Sequence, residues 1–218
     1  MLLFELDNAG VQYNGSPALS GVTLKIHRGE KIAIVGPNGA GKSSLLGLLY
    51  DQHKEETSLL PQELGLVKTL SVFHNIFMAR LNRHSVWYNL SNLAFPKKKE
   101  VEAIREVVQR LRFEDKLFTP AGELSGGQQQ RTAVGRALYQ HSRILLGDEP
   151  LSAIDEKQAG VVLDCLVKEH ETVVLALHDV DMALSFADRI IGVKAGRIVM
   201  DQPTSGMTRS DLDDVFHH

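Results

Sequence analysis

The sequence predicts an α/β fold around a mostly parallel sheet, and three observations carry that expectation. Residues 31–35 form a short, β-branched apolar run that passes through a glycine-rich loop into a helical stretch at 43–50. This is the order expected where a strand buried on both faces feeds a helix. Short strands and helices alternate again after residue 140, which argues for parallel strands covered by helices. Between these regions, residues 69–140 read as helix and form an insertion.

The elements follow in order. The first forty residues alternate short apolar runs with turn signals at Asn14-Gly15, Ser20-Gly21 and Arg28-Gly29, which predicts small strands and hairpins. In the insertion, Leu70, Phe73, Phe77 and Leu81 share one helical face, as do Val101, Ile104, Val108 and Leu111. Residues 82–99, with Trp87, Tyr88, Phe95 and Pro96, show no sustained period and read as a long loop with short helical pieces. Beyond residue 140 the pattern predicts strand 143–147, helix 156–170, strand 172–177, helix 179–187 and strand 190–194, then a turn at Ala195-Gly196.

Composition narrows the possible functions. The chain has 218 residues, 43% of them apolar, which suffices for one well-packed domain. A formal charge of −3 gives no sign of a nucleic-acid binder, and Lys97-Lys98-Lys99 reads as a solvated loop or helix start. Cys165 is the single cysteine, so no intramolecular disulfide forms and a reducing, cytoplasmic setting is expected. No apolar run reaches the ~18 residues of a membrane span, so another chain must supply any path through a bilayer. His217-His218 are set aside as a possible tag remnant.

Gly36-Pro37-Asn38-Gly39-Ala40-Gly41-Lys42-Ser43 has the spacing of a phosphate-binding loop. Glycines are needed there because backbone N–H groups must curl around phosphate oxygens at a helix N-terminus, where unpaired donors and the helix dipole favour an anion. Lys42 is expected to reach the β- and γ-phosphates and Ser43 to ligate Mg²⁺. Residues 144–147 form an apolar strand ending in Asp148 and Glu149. Asp148 then holds Mg²⁺ and Glu149 polarises the attacking water as general base. A strand ending in two acids is common by itself; after a phosphate loop it is expected. His178 follows the strand at 172–177 and can hydrogen-bond the transferring group. Gln62, after Pro61, reads by itself as an exposed polar residue.

Leu124-Ser125-Gly126-Gly127-Gln128 opens another helix with a hydroxyl and two glycines, a second anion site in the same chain. One nucleotide already has its phosphates wrapped by residues 36–43, so the second site needs its own explanation. Here the sequence resembles the ATP-binding subunits of ABC transporters along nearly its whole length. The resemblance implies a P-loop NTPase fold of the ABC ATPase type, with a mostly parallel core sheet, a small, shortened antiparallel β subdomain and a helical subdomain. It implies one domain over 1–218, with 1–68 and 141–218 as nucleotide-binding core and 69–140 as helical subdomain with the signature motif. Tyr13 matches the adenine-stacking aromatic, residues 36–43 Walker A with Ser44 following, Gln62 the Q-loop glutamine and metal neighbour, and residues 124–128 the signature. Residues 144–149 match Walker B, Ser152-Ala153-Ile154-Asp155 the D-loop, and His178 the switch histidine.

The family pattern implies an ATPase using ATP and Mg²⁺, coupled to transport. Two copies pair head to tail as an ATP sandwich, with Ser125, Gly126, Gly127 and Gln128 of one completing the site of the other and Asp155 between the sites. Separate transmembrane permease subunits, a solute-binding protein and a place on the inner face of the cell membrane are implied as well, with no nucleic-acid partner. Leu70-Ser71-Val72-Phe73-His74-Asn75-Ile76, Ala79-Arg80-Leu81 and the Trp87 segment look most like phosphonate-type importer ATPases. A soluble ABC ATPase acting on nucleic acid or ribosomes is the alternative, but such proteins carry paired cassettes or long coiled-coil insertions that this sequence lacks. One departure stands out: residues 43–61 are short for the family, so part of the antiparallel subdomain is expected to be missing.

Overall fold

The structure is a computed structural model and describes residues 1–13 and 15–216. The Asn14 half of the first turn signal and His217-His218 lie outside the described residues. The chain forms two compact units. One comprises Met1–Gln62, Arg143–Pro150 and the chain from His170 onward; the other comprises Glu63–Ser142 and Leu151–Glu169.

In the first unit, β1 (Leu2–Tyr13) and β2 (Ser16–His27) pair antiparallel, and β3 (Lys31–Val35) leads into α1 (Lys42–Gln52). The Ser20-Gly21 pair, expected as a turn, lies inside β2 instead. Gly21 takes φ 62 beside Asn8 at φ 45, and the ladder slips between Leu6 and Ala9 and again between Ala9 and Val11. Asn and Gly tolerate left-handed backbone, so a turn-like pair can serve as a bulge within a long twisted ribbon. The reading of small strands is corrected accordingly: each strand of this ribbon is 12 residues long.

Helix α1 buries Leu45, Leu46 and Leu49, each contributing about 2 kcal/mol relative to exposure. They join one core with Phe4, Leu6, Leu24 and Ile26 of the ribbon and Ile32, Ile34, Ile144, Leu146 and Val174 of the larger sheet. Past α1, a single 3-10 turn (Lys54–Glu56) leads directly into β4 (Thr57–Leu60). The short 43–61 segment therefore adds no strand to the antiparallel sheet, which consists of β1 and β2 among the described residues.

The larger sheet has the order β4-β5-β6-β3-β7-β8, with β5 at Ile144–Asp148, β6 at Thr172–Ala176, β7 at Arg189–Lys194 and β8 at Arg197–Pro203. All neighbours are parallel except β7 and β8, a hairpin turning at Ala195-Gly196. Strands β5 and β6 are buried at every position, as expected of parallel strands with both faces covered. Helices α7 (Val180–Phe186) and α8 (Asp213–Phe216) belong to this unit and pack on β3 and β7; numbering in chain order leaves α2 to α6 to the second unit.

The second unit is helical: α2 (Val72–Phe77), α3 (Val86–Ala94), α4 (Lys98–Arg110), α5 (Gly126–Gln140) and α6 (Glu156–Glu169). The expected helical face from Leu70 to Leu81 is broken. Leu70 precedes the cap Ser71, and a 3-10 segment with a kink at Arg80 follows Phe77. Residues 82–99, read as a long loop with short helical pieces, hold one such piece, α3, nine residues capped by Ser85. The lysine run opens α4, with Lys97 as its N-cap residue.

Asn75, fully buried, ties the entry to α2. It accepts from Val67 N (2.8 Å) and donates to Val67 O (3.1 Å), Leu70 O (3.1 Å) and Ser71 O (3.0 Å). Asn75→Ala is expected to destabilise the protein by about 2–3 kcal/mol, because it strands these buried backbone groups. Urea unfolding measures this, and an unchanged midpoint would count against the tie.

Candidate functional site

Strand order assembles the site. Four adjacent parallel strands, β4, β5, β6 and β3, end on the same edge of the sheet. Gln62 comes just after β4, Asp148 and Glu149 at the end of β5, His178 after β6, and residues 36–43 after β3. Ligands of open α/β sheets bind at this carboxyl edge. A cleft of about 460 Å³ opens there, lined by Asn38, Gly39, Lys42, Ser43, Gln62, Glu149 and His178, among others that include Ala18, Gly41 and Ser44.

The loop is shaped by backbone conformations closed to other residues. Gly36 has φ 149, and a Cβ there would stand 2.0 Å from Val193 O. Gly41 has φ 108 and caps α1, where a Cβ would meet Ala18 O at 2.7 Å. Ala40 is turned into the core at 3% exposure, its N–H donating to Pro37 O (3.2 Å). Lys42, 5% exposed, donates from Nζ to Gly36 O (2.9 Å) and Pro37 O (3.1 Å). Burial pulls the pKa of Lys42 below its ordinary value, against the opposing pull of Glu149 and Asp148.

Glu149 is a non-glycine residue at φ 50, a conformation that costs about 1–3 kcal/mol and is retained where the surroundings impose it. Two bonds to the β6 side impose it here. Its N–H donates to Ala176 O at 3.0 Å, and its Oε1 accepts from His178 Nε2 at 2.5 Å. Asp148, the last residue of β5, is buried beside it. The hydroxyl of Ser43, the carboxylate of Asp148 and the amide oxygen of Gln62 are hard oxygen donors, a set that fits Mg²⁺ completed by phosphate oxygens. Tyr13 stands 59% exposed at the end of β1 and is not among the residues lining the cleft.

The sequence reading left one structural element of this site unassigned. Gly196, noted only as a turn residue, donates to Ala40 O at 2.9 Å, and its own carbonyl accepts from Ser20 N at 2.9 Å. The β7-β8 turn thus braces the loop against β2. A turn signal marks such a residue but not its target, which lies 156 positions away in the chain.

The signature residues belong to the second unit. Ser125 caps α5 in a reciprocal box: its Oγ accepts from Gln128 N (3.3 Å) and its N–H donates to Gln128 Oε1 (3.0 Å). Gly126 and Gly127 open α5, where N–H groups have no intrahelical acceptor. Gly127 also meets a steric limit, since a Cβ would stand 2.8 Å from Ala153 O. Gln130 Oε1 accepts from Ala153 N at 3.0 Å, and Asp155 Oδ1 accepts from Gln158 N at 3.1 Å at the start of α6. Residues 152–155 are thereby fastened to α5 at one end and to α6 at the other.

A strand, a glycine loop closing on a lysine, and two acids on a neighbouring strand make the core of a P-loop nucleoside triphosphatase. Residues 19–152 match the ABC transporter family. The chain is 33% identical to the phosphonates import ATP-binding protein PhnC of Rhizobium etli, covering 98% of this chain and 86% of that protein. It is 37% identical to PhnC 1, the phosphonates import ATP-binding protein of Cupriavidus necator, with the same coverages. Its fold matches the dimeric structure of a bacterial ABC transporter cassette with a TM-score of 0.80 at 25% identity, over 95% of this chain and 100% of that one. A dimeric post-hydrolysis state of an ATP-binding cassette, with ADP and Pi bound, matches with a TM-score of 0.78 at 25% identity, again over 95% and 100% of the two chains. The chain belongs to the ABC transporter family as an ATP-binding subunit. It is an ATPase.

Proposed function

We propose that this ATPase drives an importer of phosphonate or a similar small oxyanion, as a head-to-tail dimer on the inner face of the cell membrane. The observation that carries the catalytic part is the meeting of Glu149, His178 and Gln62 at one cleft with Lys42 and Ser43. Residues 36–44 wrap the phosphates, Tyr13 stacks on the adenine, and Ser43, Asp148 and Gln62 hold Mg²⁺. Glu149 polarises the attacking water, and His178 holds that carboxylate in place and reaches the γ-phosphate. Ser125, Gly126, Gly127 and Gln128 of a second copy complete the site, with Asp155 at the interface; this use of the second helix start explains two anion sites in one chain.

Among the described residues no helix is long and apolar enough to cross a membrane, so permease subunits supply the path. An apolar groove of about 320 Å³, lined by Leu70, Phe77, Met78, Leu81 and Leu90 among others, suits a helix of such a subunit. A solute-binding protein delivers the cargo. The phosphonate reading rests on the printed names of the relatives.

The dimer is tested by light scattering. Glu149→Gln is expected to dimerise with ATP, and adding Ser125→Arg is expected to leave it monomeric by placing a bulky cation at the second phosphate site. Monomers in both, or dimers in both, would remove the sandwich. For the cargo, phosphonate uptake by the transporter co-purified from its native membrane is the check; uptake of unrelated solutes alone would overturn the substrate class.

A further inference from the structure

Arg136, on α5, reaches back to two peptide carbonyls 71 and 72 positions earlier in the chain. Its Nη1 donates to Gly65 O at 3.0 Å and its Nη2 to Leu64 O at 2.5 Å. Successive carbonyls of an extended chain point to opposite sides. These two converge on one guanidinium where Gly65 takes φ 57, left-handed backbone that glycine adopts without steric penalty. The guanidinium is half-buried and no acid pairs with it among the described residues, so burial pulls its pKa below the ordinary value. A cation in that position needs good acceptors for its donors, and both prongs here serve the path of one loop.

That loop leads out of the cleft. Gln62 lines the cleft, Glu63 follows it, and Leu64 is the first residue that Arg136 holds. Upstream, Leu60 is fixed in β4 opposite Gly147 of β5. Gln62 itself makes no hydrogen bond within the chain among the described residues, so its place is set by the anchors on either side of it. Downstream the nearest anchor is the Arg136 fork. Behind it the chain is tied again, with Gly122 N donating to Lys68 O and Ala121 N to Leu70 O, both at 2.9 Å, so the clamped carbonyls have little room to drift. The clamp lies within the second unit, and Gln62 is the residue that precedes that unit in the chain.

We propose that Arg136 is a positioning residue for Gln62: by clamping Leu64 O and Gly65 O it fixes how the amide oxygen of Gln62 is presented to the nucleotide-bound Mg²⁺. Arg136 is not among the residues lining the cleft and acts only through Gln62. The proposal rests on the reading of Gln62 as a metal neighbour, and its test separates the two.

Mn²⁺, a paramagnetic substitute for Mg²⁺, reads this without turnover. Its binding to the full chain loaded with a non-hydrolysable ATP analogue is titrated by electron paramagnetic resonance. Gln62→Ala and Arg136→Met are each expected to lower Mn²⁺ affinity by about tenfold, the usual order of effect for groups that hold or orient a metal ligand. In the Gln62→Ala background, Arg136→Met should change the affinity no further, because nothing is left to position. Arg136→Lys keeps the charge but loses the planar fork, so a smaller loss is expected, again only while Gln62 is present. Analogue binding in EDTA, carried by the loop at residues 36–43, should stay unchanged in the lysine variant. Loss of that binding along with Mn²⁺ affinity would make Arg136 a residue of the fold alone and overturn the proposal. Gln62→Ala without effect on Mn²⁺ removes Gln62 from the metal and the proposal with it. An effect of Gln62→Ala with none from either Arg136 variant overturns the proposal alone, and so does an Arg136→Met loss of the same size in both backgrounds.

Discussion

Glu149→Gln is expected to lower ATP turnover by about 10²- to 10⁴-fold while leaving ATP binding largely intact. The residue stands at the end of β5, held by Ala176 O through its N–H and by His178 through its carboxylate. Glutamine matches glutamate in size and can keep the strained φ of 50 through the same backbone bond. What it cannot do is accept a proton from water. The loop at residues 36–43 is untouched, so the phosphates keep their N–H donors. Steady-state ATPase assays beside equilibrium binding of a fluorescent nucleotide measure both halves. Normal turnover would remove Glu149 from the role of base, and a parallel loss of binding would show that it serves to shape the cleft instead.

Gly36→Ala should destabilise the fold by about 3–5 kcal/mol, combining a backbone conformation that L residues avoid with a clash that has no flexible partner. The added Cβ would stand 2.0 Å from Val193 O, a strand backbone atom with Ile191 and Gly192 just behind it in β7. Either the loop or the sheet must move. A domain with a typical stability of about 5–15 kcal/mol would lose a large part of it, and nucleotide affinity should fall with it because the loop is the phosphate cradle. Urea unfolding with and without ATP separates the effects. A wild-type midpoint together with wild-type affinity would mean that the loop tolerates a side chain at this position.

The fold was legible where local pattern and tertiary role agree. Residues 32–35, 144–146 and 173–176 are apolar because parallel strands bury both faces, and each lies in a strand of the sheet. The readings departed from the structure where the local signal has two meanings. Ser20-Gly21 has the composition of a turn and serves as a bulge, since both require a backbone that glycine permits. Residues 86–94 form α3, whose apolar positions Val86, Leu90 and Leu93 line a groove with Leu70, Phe77 and Leu81, a period too short in nine residues to stand out in the sequence.

Residue chemistry and spacing alone determined that this chain carries a phosphate loop, a pair of acids on a strand and a second helix start for an anion. Those motifs are local, since a loop of eight residues or a strand end of two contains its own reason. The tertiary structure decided which of them meet. The order β4-β5-β6-β3 sets Gln62, Glu149, His178 and Lys42 at one edge, although they span residues 42–178 of the chain. It also decided that Glu149 is held in left-handed backbone against His178, and that Gly196 braces the loop through Ala40. Strand order and long-range backbone bonds arise from how the whole core packs, and no window of sequence contains that information.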